Sequence, residues 1–175
     1  MIGPDIIKNS SESLALIGYI ASLCAMLEKR LVYFYATLLG GRHFQKRGVD
    51  EYGNPIFPPL DPVGLQIFSQ ITQTDMKMKL INELAKWYLK GDDLVEWNKL
   101  SKRIKSVIDS RNTVLHAEWG VCEDYPNELI LSKIYGDQLR YTHDDFKEIA
   151  EDLISVQRDL GAFSYNLYAP EGKKI

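Results

Sequence analysis

DDLVEWNKLSKRIKSVIDSRNTVLHAEWG, residues Asp92 to Gly120, carries a long helical repeat that ends in a cluster of polar side chains. Leu94, Trp97, Leu100, Ile104, Val107, Ile108 and Leu115 recur at spacings of three and four, the signature of an amphipathic helix with one buried stripe. Asp92 or Asp93 supplies the cap. Arg111 falls on that stripe, where a hydrophobe is expected. Burying an unpaired charge is costly, so Arg111 must be paired or must line a cleft. Asn112 and His116 lie four residues apart and share one helix face. Arg111 sits about 100° round from Asn112. A guanidinium, an amide and an imidazole therefore converge near the helix end, a set suited to an anion, most naturally a phosphate. Lys99, Lys102, Arg103 and Lys105 lie on the preceding turns. They read as a solvated face, or as a basic track toward Arg111.

On the N-terminal side, Ser10 and Ser11 offer an N-cap and Glu12 a first-turn carboxylate. Leu16, Ile20, Leu23, Leu27, Leu31, Phe34 and Leu38 continue the helical period to a Gly40-Gly41 stop. Glu28, Lys29 and Arg30, beside Tyr33, read as a solvated face; a polar cluster facing the arginine–histidine site is the sharper alternative. Residues 42–61 carry Arg42, His43, Lys46 and Arg47, then Gly and Pro breakers, and read as an irregular loop with a short hairpin. Asp61-Pro62 is an N-cap with proline at the first helical position. A short helix follows, then a break near Thr72 to Thr74. The next helix has Met76, Leu80, Leu84, Trp87 and Tyr88 as its expected inner face and Gly91 as its stop.

On the C-terminal side, a loop carries Pro126. Glu128 to Tyr135 and Gln138 to Tyr141 read as two strands around a Gly136-Asp137 turn. Thr142 with Asp145 forms a capping-box variant. Phe146, Ile149, Leu153, Val156, Leu160, Phe163 and Leu167 mark the stripe of a last helix, ended by Ala169-Pro170. The expected fold is mainly all-α: about five helices in a bundle with a small β-hairpin before the last. It occupies 1–175 as one domain, with 1–9 and 170–175 as flexible ends.

At 175 residues and 45% hydrophobic composition, the chain has enough material for a real core. Its net charge of −3 provides no general basic field for nucleic acid, leaving only a local patch to do so. Cys24 and Cys122 form no CxxC pair and read as buried free thiols. The uncharged run Leu14 to Leu27 is too short to span a bilayer, and the segment before it makes a poor signal peptide. The expectation is a cytoplasmic protein without a membrane partner. His43, His116 and His143 show no ligand spacing, and there is no phosphate-cradling glycine loop or nucleophile elbow. No metal or cofactor is expected.

Histidine ordinarily titrates near about pH 6.5, so it can give or take a proton in cells. Metal-independent RNA cleavage needs a base for the 2′-hydroxyl, an acid for the leaving 5′-oxygen, and a cation for the phosphoryl oxygens. One Arg–His set supplies the cation and one acid or base. A second histidine across a twofold axis would complete the site.

Arg111-Asn112-x-x-x-His116 resembles the signature of the HEPN superfamily (higher eukaryotes and prokaryotes nucleotide-binding domains): arginine, a polar residue, and a histidine four to six residues after the arginine. The stop of the first helix, GLQIFSQITQTDMKMKLINELA (Gly64–Ala85), the motif helix and YTHDDFKEIAEDL (Tyr141–Leu153) resemble the order in small bacterial HEPN-like proteins. The resemblance implies a helical bundle, a homodimer with the motif near its interface, and a metal-independent ribonuclease of toxin–antitoxin, abortive-infection or phage-defence type. It implies Arg111 as the phosphate-stabilising cation, Asn112 as the orienting residue and His116 as acid or base, with RNA as substrate and an antitoxin protein as partner. Toxins paired with nucleotidyltransferases often carry a tyrosine two residues after the histidine, which the partner modifies. Glu118 stands there instead, which weakens the case for that antitoxin mechanism; a carboxylate there could pair with Arg111 or repel RNA.

Two other readings stay open. The fold could be a non-catalytic module binding a nucleotide or a protein. Or it could be a structural dimer in which Arg111 pairs with a buried carboxylate such as Glu28.

Overall fold

A computed structural model of the chain describes residues 11–41, 50–54, 56–122, 124–132 and 139–169. The described residues form five helices, α1 (Ser11–Gly41), α2 (Pro62–Ser69), α3 (Thr74–Tyr88), α4 (Gly91–Leu115) and α5 (His143–Tyr168), with three strands, β1 (Glu118–Cys122), β2 (Tyr125–Ser132) and β3 (Leu139–Tyr141), between α4 and α5. The protein is mainly α, with a small antiparallel sheet before the last helix. Contacts group the chain into two compact units: Met1–Ala25 with Ser106–Ile154, and Met26–Lys105 with Ser155–Ile175.

Local chemistry explains most element boundaries. At the start of α2, Asp61 is extended and its carboxylate accepts from the Gly64 amide at 2.7 Å, with Pro62 at the first helical position. Asp61→Ala is expected to cost about 1 kcal/mol, the usual worth of an N-cap, and to lower Tm by roughly 2–4 °C. A thermal melt checks this. The capping box at α5 is also formed: Asp145 Oδ2 accepts from the Thr142 amide at 2.6 Å, and Thr142 Oγ1 accepts from the Asp145 amide at 3.3 Å. At the other end of α1, a Cβ on Gly40 would run into the backbone carbonyl of Pro59, so glycine is required by close approach. Gly91, at φ +53°, does not stop α3, which ends at Tyr88, but opens α4.

In the unit holding Met26–Lys105 and Ser155–Ile175, the core centres on three rings. Phe34 stacks on Trp97 at 4.8 Å between centroids, and Phe163 closes on both at 5.9 and 5.8 Å. Asn82 Oδ1 accepts from the Trp97 indole N–H and from Ser101. Tyr35 stacks on Phe68 at 4.0 Å.

The inner face of α3 differs from the expected one. Met76 and Trp87 are 45% and 73% exposed, while Lys77, Met78, Ile81 and Ala85 are buried. Lys77 tolerates burial because its ammonium reaches the half-buried Glu28 carboxylate at 3.4 Å, which also accepts from Thr74 Oγ1 at 3.1 Å. Glu28 is thus bonded to α3, while Lys29 and Arg30 are exposed.

Tyr168 gives this unit a pH dependence. Burial pushes its phenol up to about 12, and its hydroxyl approaches the Thr37 carbonyl at 3.4 Å. An unfolded tyrosine ionises near about 10. The stabilisation is therefore complete below pH 10 and lost as pH rises toward 12, because unfolding releases the phenolic proton there. Tyr35 is shifted up as well, by burial first and the Asp61 charge second. The urea midpoint is expected to fall between pH 9 and pH 11, and Tyr168→Phe to flatten part of that fall.

In the unit holding Met1–Ala25 and Ser106–Ile154, the sheet has order β1-β2-β3, all antiparallel. The β2–β3 pairing is the expected one, while its turn at Gly136-Asp137 lies outside the described residues. β1 is an addition. Where a loop was expected after Gly120, the chain from Glu118 to Cys122 pairs with β2, through Glu118 opposite Ser132 and Gly120 opposite Ile130, with a bulge before Cys122. Leu129, Ile130 and Leu131 are all buried, as suits a central strand. Ile20, Leu23, Cys24, Val107, Ile108, Val114, Phe146 and Leu153 form the rest of this unit's core.

The expected N-cap at Ser10, the basic loop start with His43, and the ends 1–9 and 170–175 lie outside the described residues. Cys24 is buried. Among the described residues no helix is long and apolar enough to cross a membrane.

Candidate functional site

The motif occupies the last turn of α4 and the first residue after it. Arg111 is half-buried, as a charge on a mostly apolar stripe must be if it is not to be stranded. Its Nη1 donates to Asn112 Oδ1 at 2.8 Å. The structure therefore brings Arg111 and Asn112 into direct contact, although they are adjacent in sequence and start about 100° apart on the helix. The amide holds one of five guanidinium donors in place.

His116 lies immediately past the helix, and its backbone N–H makes the last helical bond, to Asn112 O at 3.1 Å. Its side chain is exposed. Among the described residues no hydrogen bond ties its ring to Arg111 or Asn112. The imidazole is thus open to an incoming ligand, while the guanidinium beside it in sequence is oriented by a neighbour.

The residue that fixes this turn is Trp119, which no motif in the sequence marks. Trp119 donates its indole N–H to the Val114 carbonyl at 3.0 Å, satisfying one of the terminal carbonyls that every helix leaves without an intrahelical partner. Its ring meets Tyr141 and Phe146 edge-on, at 5.2 and 5.4 Å. Tyr141 in turn stacks on Phe146 at 5.6 Å. This aromatic cluster ties the exit of α4 to β3 and α5, and so sets where the chain carrying His116 leaves the helix. Glycine following tryptophan directly after a helix was the only local hint of it.

Glu118 is exposed at the start of β1. The cations earlier on α4 divide in two. Arg103 is held by Asp159 and by Ser155 Oγ at 3.2 Å, while Lys99, Lys102 and Lys105 are exposed. His143, at the start of α5, has a buried Nδ1 with no hydrogen-bond partner among the described residues. No group of three or more His, Cys, Asp or Glu side chains among the described residues is placed to hold a metal ion.

Compared with known proteins, the chain matches no family model, no curated protein and no solved structure.

Proposed function

We propose that the chain is a metal-independent endoribonuclease of toxin or defence type, acting as a homodimer through Arg111, Asn112 and His116. The observation that carries the reading is the oriented Arg111 guanidinium, held by Asn112 at 2.8 Å, five residues before an exposed histidine at the helix end. In this mechanism Arg111 takes the non-bridging phosphoryl oxygens, where negative charge grows as the 2′-oxygen attacks phosphorus. His116 of one protomer removes the 2′-hydroxyl proton as the new O–P bond forms. His116 of the second protomer protonates the 5′-oxygen as its bond to phosphorus breaks. The products are a 2′,3′-cyclic phosphate and a 5′-hydroxyl. Asn112 contributes by fixing the guanidinium rather than by moving a proton, and Trp119 by fixing the turn.

The test is a cleavage assay on a broad panel of RNAs in EDTA with the full chain. RNA cut to 2′,3′-cyclic phosphate ends is the expected result. A panel left intact at high protein concentration would remove the proposal.

A further inference from the structure

A second site lies in the unit that holds Met26–Lys105 and Ser155–Ile175, away in sequence from the motif. It is a cavity of about 330 Å³ between α1, the 56–60 segment and α5. That is the small end of the range for small-molecule sites, and small for a peptide or a nucleic-acid strand. Its floor is Phe34, which is 2% exposed and held from below by Trp97. Its walls are Tyr33, Phe57 and Tyr165. Phe57 is 47% exposed yet placed, since its ring meets Tyr165 and Tyr168 at 6.3 and 6.0 Å. The wall is therefore preformed, and its flat faces suit a planar apolar body.

Two features of this cavity have no explanation in the packing. Arg30 lines it, and among the described residues no ion pair or hydrogen bond engages its guanidinium. Gly161 lines it too, in the interior of α5, where glycine disfavours the helix relative to alanine. A Cβ on Gly161 would meet nothing but Arg30 Nη1, at 3.5 Å. The glycine thus leaves open the space directly beneath the guanidinium. An uncommitted cation above a bare stretch of helix, inside aromatic walls, is suited to an anionic group on a flat ring. The planar fork of arginine pairs bidentately with a carboxylate, an anion compact enough for this cavity beside a ring.

We propose that this cavity binds a small aromatic carboxylate, with Arg30 taking the carboxylate and Phe34, Phe57 and Tyr165 packing the ring. The reading does not rest on the ribonuclease proposal, and each is tested without the other.

The full chain would be titrated with benzoate, indole-3-acetate and 2-naphthoate by ligand-detected NMR, with 2-naphthamide as the neutral control. Saturable binding of at least one acid with Kd below about 1 mM is expected, with the amide about tenfold weaker. Arg30→Gln, on an exposed side chain, is expected to keep the fold and reduce the acid to the level of the amide. Gly161→Ala is expected to raise Tm by a few degrees while weakening the acid, a trade that a merely structural glycine would not show. Gly161→Leu is expected to abolish binding. No saturable binding by any of the three acids would overturn the proposal. So would equal affinity in wild type and Arg30→Gln, or full affinity in Gly161→Ala.

Discussion

His116→Ala is expected to lower RNA cleavage by about 10²–10⁴-fold, the usual contribution of a positioned proton-transfer group. Little else should change. The ring is exposed, and what His116 gives the helix is its backbone N–H to Asn112 O, which alanine retains. Circular dichroism and Tm should therefore match the parent, which separates lost chemistry from lost structure. Arg111→Ala is expected to cost about 10²–10³-fold through the unneutralised phosphoryl charge. Arg111→Lys should recover only part, because an ammonium is a point charge without the planar fork. Cleavage that persists in His116→Ala would sink the assignment of His116 and, with it, the reading of the motif as an acid–base site.

Trp97→Ala is expected to destabilise the protein by about 3–5 kcal/mol, the range for removing a buried aromatic from a core. Trp97 is fully buried, stacks on Phe34 and tilts onto Phe163. Truncation would leave a cavity shared by α1, α4 and α5. It would also strip Asn82 Oδ1 of the indole donor, leaving Ser101 as its remaining donor. Trp97→Phe should cost less, about 1–2 kcal/mol, since it keeps most of the apolar contact and loses the hydrogen bond. Urea unfolding of the two variants would show this ordering. A loss below about 1 kcal/mol for Trp97→Ala would mean that the three-ring cluster is not the centre of this unit's core.

Much of the helical scaffold was legible in the sequence because its signals are local. The Asp61-Pro62 start and the Thr142–Asp145 box depend on contacts between residues a few positions apart, and each was found where the residues suggested; the Gly40-Gly41 stop is also in place, although Gly40 is required there by the distant Pro59 carbonyl. The stripes of α4 and α5 were readable because one face carries nearly all the large apolar residues. Those on α3 were not. Met76 and Trp87 point outward, while Lys77 and Ala85 turn inward with Met78 and Ile81. That orientation follows from Glu28, about fifty residues earlier in the chain, which makes a buried Lys77 tolerable. β1 was missed for a related reason. Glu118 to Cys122 carries a glycine and no clear alternation, and it becomes a strand only because β2 offers an edge to pair with.

The sequence alone determined which residues are available for chemistry near the end of α4: Arg111, Asn112 and His116, at spacings set by the helical repeat. Their states are set by side-chain contacts in the folded chain. Asn112 turns its amide to the guanidinium, His116 stays open, and Trp119 bonds Val114 while packing on rings more than twenty residues further along the chain. The same holds for the cavity under Arg30. No local pattern joins an arginine on α1 to a glycine on α5, because side chains that meet through packing carry no shared spacing in the chain.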